Sequence, residues 1–165
     1  MPQPPQPPAI WTVGHSTRSR QALAELLAAH GIRCLIDVRR FPRSRKNPQF
    51  DRPELGAALP RAGIRYLWMG EELGGFRKGG YRAYMGTGAF AAALSRLEAL
   101  ASQAPTAVMC AEKLFFRCHR RFIADVLARR GWRVVHIIEP DRWQVHRLRP
   151  EDPELPFDRP PQERR

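Results

Sequence analysis

The chain has 165 residues, 43% of them hydrophobic, which suits one domain that buries a core without disulfides or structural metals. No apolar run approaches the roughly 20 residues needed to span a bilayer, and three scattered cysteines do not make the framework of a secreted disulfide-rich domain. The net charge of +12 attracts polyanions, but 25 of the 28 basic residues are arginines and there are 16 prolines. A GC-rich genome imposes that bias on any of its proteins, so the position of charge says more than its total.

Residues 1–9 have neither the charged start nor the apolar core of a signal peptide and read as a disordered, Pro/Gln-rich arm. A reduced, cytoplasmic setting is the expectation. Ile10–Gly14 is the first strand. Leu23, Leu26 and Leu27 then recur at helical spacing, and Gly31 is placed to end that helix. Cys34–Val38 is the second strand, an apolar run broken by Asp37. Asp51 and Pro53 mark a helix start, and Pro60 keeps that helix short. Ile64–Met69 is the third strand. Thr87 is placed to cap a longer helix with the stripe Phe90, Leu94, Leu97 and Ala101. Thr106–Cys110 is the fourth strand, Phe122, Ile123, Val126 and Leu127 face inward from the next helix, and Val134–Ile138 is the fifth strand.

Strands alternating with helices imply crossovers and a mainly parallel sheet of about five strands, flanked by helices in a three-layer, Rossmann-like α/β domain over residues 10–138. Residues 139–165, rich in proline and charge, read as an irregular tail partly anchored by Trp143 and Leu148.

In such a sheet, ligands bind beyond the carboxyl ends of the strands, and the unusual polar residues fall there. Strand one leads into His15 and Ser16. Strand two leads through Asp37 into the basic loop Arg39–Lys46, with Arg43, Arg45 and two aromatics, Phe41 and Phe50, able to stack on bases. His15 is a candidate general acid or base and equally a helix cap. Asp37 and Arg39, two apart on one strand face, form an ion pair. Cys34 and His136 sit among apolar neighbours and read as core, His136 with a hydrogen-bond partner.

The stretch CAEKLFFRCHRRF, Cys110–Phe122, is the densest in reactive groups. Cys110 closes a strand, and Cys118 begins a helix before His119, where the helix terminus and Arg117, Arg120 and Arg121 favour a thiolate. Phosphatase and sulfurtransferase anion cradles also follow a strand-end cysteine, but they place an arginine where this chain has Phe116. Paired-cysteine zinc spacing is absent, so a Cys110, Cys118 and histidine metal site is a minor alternative. A reversible Cys110–Cys118 disulfide at the sheet edge and a purely packing role both stay open.

GHSTRS, DVRRFPRSRKNPQF, the ELGG of Glu72–Gly75 and MCAEKLFFRCHRRFIADVL occur in the order and spacing of the domain of unknown function 488 family, which the chain resembles over about Ile10–Ile138. The resemblance implies a small α/β domain without an assigned role and maps that family's CAE…CHR element onto Cys110, Ala111, Glu112, Cys118, His119 and Arg120. Leu114, Phe115 and Phe116 are apolar where the resemblance implies a polar loop, so they are candidates to line an apolar pocket or interaction surface.

Three functions fit. The first is a cysteine enzyme on a phosphate-bearing or nucleic-acid-related substrate, with Cys110 or Cys118 as nucleophile or redox group. Glu112, His15 and His119 are its acid/base candidates, and Arg39, Arg43, Arg45, Lys46, Arg120 and Ser16 its anion-binding candidates. The second is a non-catalytic nucleic-acid-binding module using the Arg39–Lys46 loop, and the third a Cys/His metal-binding domain. No cofactor and no membrane partner is called for.

Overall fold

The computed structural model describes residues 2–148. In chain order the elements are β1 (Ala9–Gly14), α1 (Arg20–Ala29), β2 (Cys34–Asp37), α2 (Arg52–Arg61), β3 (Arg65–Trp68), α3 (Gly70–Leu73), α4 (Tyr81–Met85), α5 (Gly88–Ala101), β4 (Thr106–Cys110), α6 (Arg120–Arg129), β5 (Arg133–Glu139) and β6 (Arg142–Val145). The strands form one sheet in the order β3-β2-β4-β1-β5-β6, parallel except for β6 against β5. The fold is the expected three-layer, Rossmann-like α/β arrangement, with one strand more than the sequence suggested.

The sequence signals act where their chemistry says they should. Ser19 accepts a hydrogen bond from the Ala22 N–H at the start of α1, and Thr87 accepts one from Phe90 at the start of α5. Gly31 follows α1 with φ of 70°, a backbone region that a Cβ disfavours. Pro60 sits in the last turn of α2 and does not break it.

Two apolar layers sandwich the sheet. On one face Phe90, Leu94 and Leu97 of α5 and Ile123 and Leu127 of α6 cover Ile10, Ile36, Val108 and Val134. On the other, Leu23, Leu26 and Leu27 of α1 and Leu55 and Leu59 of α2 cover Val13, Leu35, Met109 and Ile137. Each such fully buried side chain contributes roughly 1.5–3 kcal/mol. Cys34 and His136 are buried, and Asp37 pairs with Arg39 at 2.7 Å.

One expectation needs correction. Residues 142–145, read as the start of an irregular tail, instead pair with β5, with Trp143 opposite Ile137. Trp143, 54% exposed, sets its ring edge-on against His30 with centroids 5.8 Å apart, and Leu148 is 39% exposed, while the backbone ladder of β6 holds residues 142–145 to β5. The remainder of the expected tail, residues 149–165, lies outside the described residues. Among the described residues no helix is long and apolar enough to cross a membrane.

Candidate functional site

β1, β4 and β2 lie side by side, and their carboxyl ends bring the GHS, CAE and DVR segments together. The loop after β4 folds tightly back on β1: the His15 and Ser16 N–H groups donate to the Cys110 and Ala111 carbonyls at 2.9 and 3.0 Å. This approach requires Gly14, because a Cβ there would stand 1.9 Å from the Glu112 carbonyl oxygen. From Glu112 the chain passes through a 3-10 turn, Phe115–Arg117, and enters α6. That excursion returns Cys118 to Cys110, with the two sulfurs 3.1 Å apart and both thiols free.

Arg120 lies beneath the pair, 1% exposed. Its Nε–H donates to Cys110 Sγ at 3.0 Å and to Cys118 Sγ at 3.4 Å, and its backbone N–H donates to Cys118 Sγ at 3.4 Å. Nη1 donates to Thr12 Oγ1 at 3.1 Å, and Nη2 donates to the Glu112 and Lys113 carbonyls. The environment splits the two thiols. Cys118 is held down to about 6, first by the hydrogen bond it accepts from Cys110 and then, against the cost of burial, by the charge and N–H groups of Arg120. Cys110 is pushed up by burial and by donating that bond. At neutral pH the arrangement is therefore a Cys118 thiolate accepting from a Cys110 thiol.

Both sulfurs open on a cavity of about 520 Å³ whose wall includes Arg39, Arg40, Arg43, Glu112, Arg117 and His119. His119 donates Nε2–H to the Val38 carbonyl at 3.0 Å. Burial lowers its pKa to about 4, so it is neutral with a lone pair on Nδ1. Gly75 packs beside that nitrogen, where a Cβ would lie 3.3 Å away. Two aromatic rings stand at the solvent boundary: Phe41, 66% exposed, and Phe76, 86% exposed, with centroids 5.9 Å apart.

The other candidates lie elsewhere. His15 is buried against Phe50, donates Nδ1–H to the Ser16 carbonyl at 2.8 Å and accepts from Arg39 at 3.4 Å. Burial lowers its pKa to about 4. It belongs to a structural network in which Arg39 grips Asp37 through two donors, and Tyr66 O–H also donates to Asp37. Phe50 is fully buried and presents no face for stacking. Ser16 contributes its N–H to the β4 loop and does not line the cavity. Arg45 borders a separate shallow groove with Pro48 and Asp51, and Lys46 is exposed outside both. The guanidinium of Arg120, expected to hold an anion, is consumed by the thiols, Thr12 and two carbonyls. The cavity wall is lined by Arg40, Arg43 and Arg117.

Sequence reasoning missed a chain of hydrogen bonds that runs from Arg120 across the sheet. Arginine only donates, so Thr12 Oγ1 accepts from it and offers its own hydrogen to His136 Nδ1 at 2.6 Å. His136 then carries its hydrogen on Nε2 and donates to His146 Nδ1 at 2.9 Å, and His146 donates from Nε2 to Asp125 at 2.6 Å. Phe115 stacks flat on His136 at 3.6 Å, sealing the chain. Phe115 and Phe116 also border a second cleft, of about 220 Å³, with His146 and Asp125. Among the described residues no group of three or more His, Cys, Asp or Glu side chains is arranged to hold a metal ion.

The family model described as "Domain of unknown function DUF488" matches residues 19–80 and 76–127, and the chain belongs to that family. His136 and His146 lie beyond the matched segments. No curated protein and no solved structure matches the chain.

Proposed function

We propose that this member of the family is a thiol-dependent enzyme acting on a phosphate-bearing substrate, with Cys118 as nucleophile and Cys110 as the thiol that resolves the intermediate. The observation that carries the reading is the 3.1 Å contact between an activated and a protonated sulfur on the wall of a cavity rimmed by Arg40, Arg43 and Arg117. Two such thiols form a two-electron couple. The Cys118 thiolate attacks the electrophilic atom X of a substrate X–Y bond, X being an oxidised sulfur, and Y leaves with the bonding pair. Cys110 then attacks Cys118 Sγ, and X departs with the electron pair and takes the Cys110 proton. The substrate gains two electrons, the protein ends with a Cys110–Cys118 disulfide, and an external thiol reductant restores it. The sulfurs need to close from 3.1 Å to a bond of about 2.05 Å.

Cysteine-resolved iodoacetamide labelling against pH, followed by diamide treatment and mass spectrometry, tests this. Cys118 should label with a midpoint near 6, and diamide should remove two hydrogens from the Cys110–Cys118 peptide pair while sparing buried Cys34. Uniform slow labelling with no disulfide removes the proposal.

A second reading, a nucleic-acid-binding module, is favoured by one observation: the loop after β2 presents Phe41, Arg43, Arg45 and Lys46 to solvent. It requires affinity for single strands that falls steeply with salt and with the pair Arg43→Ala, Arg45→Ala.

A further inference from the structure

The cavity asks for more than a phosphate. Its cations sit together with two aromatic rings that the fold leaves in water, and the manner in which Phe76 is exposed is informative. Phe76 has a φ of 57°, a conformation that side chains rarely adopt, so its backbone is held in place against its own preference. The next residue does the holding. Arg77 donates to the Gly74 carbonyl at 2.9 Å and to the Glu71 carbonyl, and its guanidinium lies 3.9 Å over the Tyr84 ring. A pinned loop therefore thrusts an apolar ring outward, 86% exposed, beside the similarly exposed Phe41, with the two rings inclined at 41°. Strain that keeps an aromatic in water is retained where the ring has work to do.

We infer that the leaving part Y of the substrate is a nucleoside phosphate, bonded through its phosphate to the oxidised sulfur X, with its base stacked on Phe76 and Phe41 at the cavity mouth and its phosphate among Arg40, Arg43 and Arg117. A planar π-face is the surface complementary to an exposed phenylalanine pair. Guanidinium groups grip phosphate through paired N–H donors. The volume of about 520 Å³ lies in the range of small-molecule sites and suits one nucleotide. Of the cavity's charged side chains, Arg39 is already neutralised by Asp37, and Glu112 offsets one of the remaining three arginines, so the site keeps a net positive charge. This inference rests on the proposed function for the location of the site and adds the class of molecule that enters it.

The experiment is calorimetric titration of the full chain with AMP, GMP, CMP, UMP and ribose 5-phosphate, repeated on Phe76→Leu and on Cys118→Ser. At least one nucleotide should bind more tightly than ribose 5-phosphate. Phe76→Leu, which keeps an apolar side chain but removes the π-face, should weaken that nucleotide about 5- to 150-fold, the effect of losing one base–aromatic stack, and leave ribose 5-phosphate unchanged. Equal affinity for ribose 5-phosphate, indifference to Phe76→Leu, or binding of a (dT)₁₂ strand with none of the four mononucleotides would each overturn the inference. Binding by Cys118→Ser separates the two claims. If that variant and the wild type bind nucleotide in a Phe76-dependent way while Cys118 labels as an ordinary thiol, the substrate class stands and the thiol chemistry falls. If Cys118 titrates near 6 and no nucleotide binds, the reverse holds.

Discussion

Replacing Cys110 by alanine or by serine isolates the largest cause of the Cys118 shift. That cause is the hydrogen bond from Cys110, and a hydrogen bond to a charged group contributes about 1.5–3 kcal/mol. At about 1.36 kcal/mol per pKa unit, its removal in Cys110→Ala should raise the Cys118 midpoint by about 1–2 units from its value of about 6. Cys110→Ser keeps an O–H donor in place and should leave the midpoint low. The assay is reaction with a pyridyl disulfide, read by released thiopyridone between pH 5 and 9. Rate at neutral pH is a poor discriminator. A thiol of pKa 6 is about 90% ionised at pH 7 against about 3% for one of 8.5, but its lower basicity costs about 10- to 18-fold in intrinsic reactivity. The two effects nearly cancel at pH 7, whereas at pH 5.5 the same arithmetic leaves an advantage of about 10- to 25-fold. Stoichiometry supplies a second readout: two thiopyridones from the wild type as Cys110 resolves the mixed disulfide, one from either variant. A wild-type midpoint near 8.5, or equal shifts in the alanine and serine variants, would refute the hydrogen-bond account.

Stability should fall as pH drops below about 6.5. His15 and His119, held neutral by burial with values of about 4, and His136, lowered to about 2, bind protons in the unfolded chain before they do so in the fold. Their contribution is present above the unfolded value of about 6.5 and is lost as pH falls toward 4, at up to about 1.4 kcal/mol per pH unit for each. Urea midpoints between pH 6.5 and 5 in the Cys118→Ser variant, which removes the thiol that itself titrates near 6, check this, and a flat profile contradicts it. His146→Ala strips the His136 Nε2–H and Asp125 of their partner and should cost about 1–3 kcal/mol in urea unfolding. It should move the Cys118 midpoint less than Cys110→Ala does, because Arg120 keeps its bonds to Cys110 and two carbonyls. Gly14→Ala drives a methyl into the Glu112 carbonyl and should cost about 1–3 kcal/mol or more. Displacing the β4 loop should also separate the sulfurs, so thiopyridone release falls from two equivalents toward one; normal stoichiometry would mean that the close approach is dispensable.

The parallel core was legible because each of its strands is an apolar run bounded by turn residues and each long helix carries a clean stripe. β6 was not: Arg-Trp-Gln-Val is polar and exposed on an edge, and only the Pro140–Asp141 turn after β5 hints at a hairpin. The short helices α3 and α4 lie in a glycine-rich segment where propensity is silent. At the site, a meeting of Cys110 and Cys118 could be anticipated from their shared sheet edge. The inward turn of Arg120 had a signal that went unread, since Arg120, Ile123, Ala124 and Leu127 follow the helical period and share one buried face. Its charge argued for solvent, and its spacing argued for the core. The partners Thr12, His136, His146 and Asp125 come from four elements or their ends, and no local pattern links them.

The burial of Arg120 is a second reason to expect a thiolate, beside the hydrogen bond from Cys110. A guanidinium removed from water needs a counter-charge, yet among the described residues its partners are two sulfurs, a hydroxyl and two carbonyls, with no carboxylate. The negative charge that balances it is Cys118 once its proton has left. Activation and folding are then one interaction seen from two sides. Removing either partner should be costly, because Cys118→Ala strands a buried cation and Arg120→Met leaves Thr12 and the Glu112 and Lys113 carbonyls without their donor. Removing both should cost less than the sum, with a coupling of about 0.5–3 kcal/mol in a urea-unfolding cycle at pH 7.5. The sign of the pH dependence follows: the folded value of Cys118 is depressed, so its contribution is present above the unfolded thiol value and fades as pH falls through about 6. The coupling should therefore shrink at pH 5, where Cys118 is protonated in the fold. Additive costs at pH 7.5, or a coupling unchanged at pH 5, would mean that Arg120 is neutralised by something other than the thiolate and that the low Cys118 value has another origin.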